Sequence, residues 1–282
     1  MPAVGNRAAV PPIASEPSPH GLLGGCVEVV YTDDVHQLMG TDMQGSSCAQ
    51  SNAWQDCPDP TGGWTNPASK TFDRPDQCSF APWTAYAGVE CSTIGLTRDE
   101  LNQRALDQLA RGEQRVWEQQ FMRFWLAPTV LADTTDLTPA AGALHIAQGV
   151  GVLETWLAQN FGGQGVLHAP IGTAALLAMH RLVDFATEET CPRTLAGSSI
   201  VLGAGYAANV GPDGTPAPAG ESWLYITPPL RIRRDRPFLV DTGNHYVNTR
   251  TNDQRALAES TAVVEVACCI AAAVRVSLTA CP

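Results

Sequence analysis

The sequence carries little charge for its length. Asp, Glu, Lys and Arg together make up 16% of its 282 residues, whereas about a quarter is usual in soluble domains. A surface with so few charges has to be covered by other means, and burial between subunits is one of them. The composition therefore favours a protein that assembles, with an ordinary apolar surface as the alternative.

Positive charge is the scarcest feature, and Lys70 is the only lysine of the chain. Lys and Arg total 17 against 28 Asp and Glu, which gives a formal net charge of −11. Nucleic-acid-binding proteins carry a clustered basic patch or run, and this sequence has none. We therefore expect no sequence-specific nucleic acid binding, although an acidic wall is compatible with a container for DNA.

Long apolar runs are also missing. The longest one near the C-terminus covers residues 266–274, well short of the ~20 residues that span a bilayer. The proline-rich N-terminus has no uninterrupted apolar stretch of the kind that forms the centre of a secretory signal. We expect a protein that is made in a cytoplasm and has no membrane contact.

Signatures of catalysis and cofactor binding are absent as well. The sequence contains no H-E-x-x-H, G-x-S-x-G or P-loop motif, and no two cysteines have C-x-x-C spacing. Gly203, Gly205 and Ala208 match a dinucleotide-binding pattern after a predicted strand. That site needs a helix directly afterwards, and the turn-rich segment 209–220 follows instead. We expect no metal, no cofactor and no enzymatic activity.

An enzyme is the alternative from a different class, with Cys91 or a histidine as the reactive group. Nothing near Cys91 in the sequence supports a thiol–histidine pair. His168 lies in a short apolar segment that is predicted to be a strand. At such a position a histidine is more often a hydrogen-bonded core or interface residue than a catalyst.

The nine cysteines divide by their surroundings. Those in or near the apolar C-terminal segment are expected to be small buried hydrophobic residues, and they are Cys268, Cys269 and Cys281. Another group falls in a polar loop, where the side chains are thiols in a reducing cytoplasm and can pair after release by lysis. That group consists of Cys48, Cys57 and Cys78.

The first third of the chain has few signs of regular structure. Residues 1–20 are rich in Pro, Ala and Ser and are typical of an extended arm. The turn-rich stretch 32–77 carries Trp54, Trp64 and Phe72. Large aromatic residues in an irregular loop of this length predict packing against another subunit or against the loop's own domain.

A long helix follows this loop. Thr97 and Glu100 form the T-x-x-E pattern of a capping box, and apolar residues then recur at helical spacing as far as Trp125. A second helix is predicted over residues 143–160, and short strands and one further helix fill most of the remaining chain. The fold class is therefore α+β, without internal repeats.

This order resembles the HK97-fold capsid proteins and the related encapsulins. The segments that carry the resemblance are EQQFMRFW at the end of the long helix, SSIVLGAGYAANVGPDGTPAPAGESWLYITPPLRIRR, and the terminal stretch 252–278. The resemblance implies an HK97-like capsid fold with an N-terminal arm and a long, extended E-loop. A peripheral (P) domain with a long spine helix, an axial (A) domain and strands that close the P domain follow. The implied ranges are 1–25 for the arm, 26–92 for the E-loop, 93–139 for the P domain, 140–228 for the A domain and 229–282 for the closing strands.

The function implied by the resemblance is that of the major capsid protein of a tailed phage, of the kind that infects actinobacteria. Such a protein self-assembles through pentamers and hexamers, in the host cytoplasm, into the icosahedral head shell of the virion that encloses phage DNA. Portal, scaffold and decoration proteins are further expected partners, and Trp54, Trp64 and Phe72 are expected at the subunit interface. The alternatives are an encapsulin-type compartment and another virion protein, from the tail or a decoration.

Three residues match a further feature of this family. Some members lock their shells with an isopeptide bond between an E-loop lysine and a P-domain asparagine of a neighbouring subunit. A glutamate must take the proton from the lysine, because an ammonium cannot attack an amide. Lys70 lies in the implied E-loop, and Asn252 and Glu259 stand seven apart in NDQRALAE. A strand of this kind without a crosslink is the alternative.

Overall fold

The computed structural model describes residues 13, 16–24, 26–44, 51–54, 69–70, 72, 77–92, 96–126, 134–184, 191–240 and 246–279. The sixteen strands within these residues are, in chain order, β1 (Glu28–Tyr31), β2 (Thr41–Gln44), β3 (Gln77–Phe80), β4 (Pro82–Ser92), β5 (Thr134–Asp136), β6 (Leu144–His145), β7 (Val166–Pro170), β8 (Val183–Asp184), β9 (Arg193–Thr194), β10 (Ser199–Gly203), β11 (Glu221–Thr227), β12 (Leu230–Arg234), β13 (Phe238–Leu239), β14 (Val247–Asn248), β15 (Asp253–Val266) and β16 (Ala271–Ser277).

Four α-helices accompany them within the described ranges, and they are α1 (Val35–Leu38), α2 (Arg98–Phe121), α3 (Ile146–Asn160) and α4 (Ala174–Met179). A π-helical turn, Met122–Leu126, extends α2. Short 3-10 turns lie at Ile171–Thr173 and Gly205–Ala208. The mixture of helices and strands confirms the α+β class.

The strands form two large sheets and one small ladder. A six-stranded sheet has the order β1-β12-β15-β13, with β14 and β4 also paired to β15. An eight-stranded sheet has the order β5-β16-β11-β7-β10-β9-β8, with β6 beside β16. β2 and β3 pair only with each other. Of the segment 26–92, β2 and β3 therefore form a separate ladder, while β1 and β4 belong to the six-stranded sheet.

The two large sheets are connected by two segments of the chain that run side by side, and each segment is called a crossing below. The chain leaves the eight-stranded sheet between β11 and β12, and it returns between β15 and β16. The backbone N–H of Ala267 on the return crossing donates to the carbonyl of Pro229 on the outgoing one at 2.9 Å. The paired strands β12 and β15 thus continue directly into the paired strands β11 and β16.

α2 is the predicted long helix, and its start is confirmed. The Thr97 side chain accepts from the backbone N–H of Glu100, and the Glu100 carboxylate accepts from the backbone N–H of Thr97. The residues that it buries recur mostly every fourth position: Leu101, Ala105, Leu109, Glu113, Gln114, Trp117, Glu118 and Phe121. Three of these are polar, so this helix needs hydrogen-bonding partners inside the protein.

Small residues let α2 lie close to the six-stranded sheet. β4 and β15 pair antiparallel along the whole of β4, and their buried positions include Ala85, Ala87, Ala256 and Ala258. Side chains alternate between the two faces of a strand. The opposite face of β4 therefore presents exposed residues such as Tyr86.

One buried polar residue of α2, Glu113, forms an ion pair with a residue of the six-stranded sheet. Arg234 donates to the two carboxylate oxygens of Glu113 at 2.9 and 2.8 Å and to the Ser260 hydroxyl at 3.1 Å. Its guanidinium also lies 4.6 Å from the centroid of the Trp117 ring. Burial raises the pKa of Glu113, and the hydrogen bonds from Arg234 oppose that shift. The pair anchors the middle of α2 to β12 and β15.

The eight-stranded sheet has a hydrophobic core of its own on the face that packs against α3. α3 buries Ile146, Val150, Leu153 and Leu157 against strands of this sheet. The observed helix starts three residues after the predicted start at 143 and ends at the predicted residue 160. The next residues, Phe161 and Gly162, close it, and Gly162 has φ +77°, a backbone conformation that glycine adopts readily.

Disulfide bonds join distant parts of the chain. Cys26 is bonded to Cys191, and Cys78 to Cys269. The expectation that Cys269 is simply a buried hydrophobic residue is therefore wrong, because it is only partly buried and is bonded to Cys78 of β3. Cys268 is buried as expected, but it is disulfide-bonded as well. Cys91 is a free thiol.

Cys48, Cys57 and Cys281 lie outside the described residues.

The buried ion pair gives a first prediction. Arg234→Met leaves the Glu113 carboxylate buried without its cation, and we expect the variant to lose about 3–5 kcal/mol of unfolding free energy. Urea or thermal unfolding followed by tryptophan fluorescence measures the loss. Arg255→Met is the matched control, because the Arg255–Glu90 pair is half exposed and is expected to contribute under about 1 kcal/mol. Equal losses in both variants would contradict the anchoring role of Arg234.

Candidate assembly surfaces

The β2–β3 ladder forms the root of the loop that carries the aromatic residues. Its register runs from Thr41 opposite Phe80 to Gln44 opposite Gln77. The buried ring of Phe80 lies 5.1 Å from the ring of Trp125 at the end of the long helix. The root of the loop is thereby fixed to the helix.

Two of the three predicted interface aromatics lie on the surface of the chain. Phe72 is 93% exposed and Trp54 is 39% exposed. Trp64 lies outside the described residues. Burying a phenylalanine side chain is worth about 1.5–3 kcal/mol, and within the subunit Phe72 does not gain it. The loop therefore presents apolar surface that a second molecule can cover.

Lys70 lies beside these aromatics. Its Nζ atom is 5.1 Å from the centroid of the Trp54 ring, which is a cation–π contact. The contact holds the charged end of Lys70 on its own loop.

The other two residues of the crosslink pattern are separated along one strand. Asn252 lies in the turn before β15, with φ +59°, whereas Glu259 lies within β15 opposite Tyr86 and Phe238. Seven residues of extended strand span roughly 20 Å. A single subunit does not bring Asn252 and Glu259 together.

Residues 16–24, the end of the predicted N-terminal arm and called the arm below, are docked on α2 by polar side chains. Gln114 accepts from the backbone N–H of Leu23 at 3.2 Å and donates to the carbonyl of Ser18 at 3.2 Å. A Cβ atom at Gly21 would lie 1.9 Å from the Gln114 amide nitrogen. A side chain at position 21 would therefore displace the Gln114 amide from these hydrogen bonds.

Glu118 joins the arm to the eight-stranded sheet. One of its carboxylate oxygens accepts from the backbone N–H of Leu22 at 2.9 Å, and the other accepts from that of Gly205 at 2.8 Å. Burial raises the pKa of Glu118, and the hydrogen bonds from Gly205, Leu22 and Ala204 partly oppose the shift. The side chain is fully buried, so these N–H groups take the place of water.

The same contact explains the dinucleotide-like pattern. The N–H of Gly205 points to the Glu118 carboxylate rather than to an open phosphate site. A Cβ atom at Gly205 would lie 2.4 Å from the Cβ of Glu118. Glycine is needed here for close packing against α2, and its N–H is already satisfied by a carboxylate.

The histidine that was considered as a catalyst is a core residue. His168 is buried, and its ring nitrogens lie 2.9 Å from the Tyr206 hydroxyl and 2.9 Å from the Thr227 hydroxyl. Burial lowers the pKa of His168 to about 3, so the ring is neutral near pH 7. Cys91 lies in β4 of the other large sheet, and the two do not form a thiol–histidine pair.

Among the residues that the structure describes, no group of three or more His, Cys, Asp or Glu residues could hold a metal ion. None of the helices in those ranges has the length and apolar character required to cross a bilayer.

Comparison with solved structures gives matches over the full length of the chain. A structure from Mycobacterium phage Ogopogo matches with a TM-score of 0.53 and 12% identity, over 96% of this chain and 97% of that one. A structure from Microbacterium phage Oxtober96 matches with a TM-score of 0.53 and 10% identity, over 97% and 96%. One from Mycobacterium phage Bobi gives 0.52 and 10%, over 99% and 96%.

The chain has the HK97-like capsid fold. This confirms the fold that the sequence resemblance implied. No protein-family model matches the sequence, and comparison with curated proteins finds no match. The HK97-like fold is therefore retained here at a level of identity at which sequence comparison finds nothing.

The buried carboxylate at the arm gives a second prediction. Glu118→Gln replaces one accepting oxygen with an NH₂ group, which then faces a backbone N–H. We expect a loss of about 1–3 kcal/mol in unfolding free energy, together with faster proteolytic cleavage of the arm. Asp107→Asn is the control, because Asp107 is on the exposed face of the same helix, where it accepts a hydrogen bond from Gln103. An unchanged cleavage rate in Glu118→Gln would argue against docking of the arm by Glu118.

Proposed function

We propose that this chain is a major capsid protein, which self-assembles into the icosahedral head shell that encloses phage DNA. The observation that carries the proposal is the full-length HK97-like fold, shared with structures from three actinobacterial phages. Its work is assembly rather than catalysis. The shell of the virion is the location that follows, with assembly in the host cytoplasm.

The exposed aromatics of the β2–β3 loop support assembly. A single buried Trp or Phe adds little beside the entropy lost when two subunits associate. In a closed shell every subunit makes each contact in symmetry-related copies, so many weak contacts act together. The low share of charged residues, 16%, supports the same conclusion, because few charges have to be desolvated when subunits associate.

The same proposal includes the building units of the shell and the partners of the chain. Pentamers and hexamers of the chain are the expected building units, and portal, scaffold and decoration proteins are the expected partners. The largely exposed segment near 209–221, between β10 and β11, is proposed to meet other subunits near the axis of such a unit. An encapsulin-type compartment is the second candidate, and it differs in holding a protein cargo without DNA.

Assembly gives the third prediction. Recombinant chain is expected to form closed shells in electron micrographs and to elute near the void volume in size-exclusion chromatography. Trp54→Ala with Phe72→Ala removes apolar surface that the subunit itself leaves uncovered, so we expect at least about tenfold fewer shells with unchanged folding of the subunit. Ser51→Ala in the same loop is the control.

A species near 30 kDa at high concentration of the unaltered chain would refute the shell. Shells from infected cells that contain protein cargo and no nucleic acid would favour the encapsulin-type compartment.

The crosslink pattern gives the fourth prediction. We propose that any isopeptide bond joins Lys70 of one subunit to Asn252 of a neighbouring one, and that the base is Glu259 of a subunit other than the one that supplies Asn252. The roughly 20 Å between Asn252 and Glu259 along one strand supports the need for separate subunits. Denaturing electrophoresis of assembled shells is expected to show a ladder that Lys70→Arg abolishes and Ser51→Ala does not. Bands at the monomer position alone would remove the crosslink and leave the shell proposal intact.

A further inference from the structure

Two disulfide bonds whose cysteines both lie among the described residues join parts of the chain that are distant in sequence. Cys26 and Cys191 are separated by 165 residues, with Cα atoms 4.7 Å apart. Cys78 and Cys269 are separated by 191 residues, with Cα atoms 6.0 Å apart. Both Cα distances lie within the range that a disulfide bond spans without movement of the backbone.

Each bond fastens a segment that the proposed assembly depends on. Cys26 lies between the docked end of the arm and β1, and Cys191 lies just before β9 of the eight-stranded sheet. Cys78 is on β3, in the root of the aromatic loop, and Cys269 lies on the return crossing between the two sheets. One bond therefore ties the arm to the eight-stranded sheet, and the other ties the loop root to the junction of the sheets.

We propose that both pairs are thiols while subunits assemble in the cell and form disulfide bonds after the particle is released, so that oxidation locks the finished shell. The inference rests on the proposed capsid function. A reducing cytoplasm keeps cysteines as thiols, whereas an extracellular particle meets oxidants. A subunit with free arm and loop root is able to adjust during assembly, and the same subunit with both bonds closed is not.

The reaction that closes each bond is thiol–disulfide exchange with a small extracellular disulfide, RSSR. One protein thiolate attacks RSSR, forms a mixed disulfide and releases RS⁻. The second protein thiolate then attacks the protein sulfur of the mixed disulfide and releases the other RS⁻. The protein loses two protons and two electrons, and RSSR is reduced to two RSH.

Burial predicts an order for the two bonds. Cys26 and Cys191 are each partly exposed, whereas Cys78 is only 2% exposed. The oxidant therefore reaches the Cys26–Cys191 pair directly. The Cys78–Cys269 pair has to wait for local opening of the loop root or react through the more exposed Cys269.

The test follows the cysteines of whole particles from cell to medium. Infected or expressing cells are lysed directly into iodoacetamide, and a second sample is alkylated only after the released particles have stood with glutathione disulfide. Peptide mass spectrometry without reduction is expected to find alkylated Cys26, Cys78, Cys191 and Cys269 in the first sample. In the second it is expected to find Cys26–Cys191 first and Cys78–Cys269 later.

Particle stability provides the second readout. Thermal disruption of oxidised particles is expected at a temperature at least about 5 °C higher than in the presence of a reductant. Cys26→Ser and Cys78→Ser should each remove part of that difference. Cys91→Ser should leave this temperature difference unchanged, since Cys91, in β4 of the six-stranded sheet, is a free thiol. The comparison of disruption temperatures with and without reductant uses the unaltered particle, so it does not depend on the folding of any variant.

Two results would overturn the inference. Disulfide-linked peptides in the sample alkylated at lysis would place bond formation before release. Thiols that persist in particles treated with glutathione disulfide would show that the bonds do not form after release. Equal stability with and without reductant would show that the bonds do not stabilise the shell. Failure to form any particle counts against the capsid proposal instead, and the peptide assay on the soluble subunit still reports on the two bonds.

Discussion

The constraint on which this structure depends is that the long helix α2 buries carboxylates. A buried carboxylate is tolerated only where donors replace its water. Glu113 finds them in Arg234 of the six-stranded sheet. Glu118 finds them in the backbone of the arm and of the turn after β10. Because the two residues are five positions apart, one helix fixes the arm and both sheets relative to each other.

The buried carboxylates of α2 have hydrogen-bonding partners within the subunit, whereas the exposed aromatic side chains of the loop are not covered there. Around α2 the buried polar groups Glu113, Gln114 and Glu118 have partners, and small residues allow close packing. Phe72, in contrast, gains no burial from its own chain. The centre of the subunit is thus held by buried hydrogen bonds, whereas Phe72 of the loop stays exposed, a combination that suits the proposed shell. The Cys78–Cys269 disulfide bond joins the root of this loop to the junction of the two large sheets.

Local signals made part of this predictable. The capping box at Thr97 and Glu100 predicted the start of α2 to the residue, because capping depends on neighbours three positions apart. The end of α3 at residue 160 was predictable because Gly162 and Gly163 follow shortly after it, and glycines at such positions end a helix. The ring of His168 was correctly assigned to the core. Glu113 and Glu118 were missed, although a glutamate on a helix's apolar stripe was a visible signal that partners must exist.

By itself the sequence determined the α+β class, the long helix, the low charge that favours assembly and, by resemblance, the HK97-like fold. These follow from composition, from spacing within a few residues and from the order of elements. Only the tertiary structure decided that Arg234 meets Glu113, that Gly205 serves a carboxylate rather than a phosphate, and that Cys26 and Cys78 pair with Cys191 and Cys269. Each of these contacts joins residues roughly 90 or more positions apart, and nothing in local sequence specifies which distant partner the fold will bring within bonding distance.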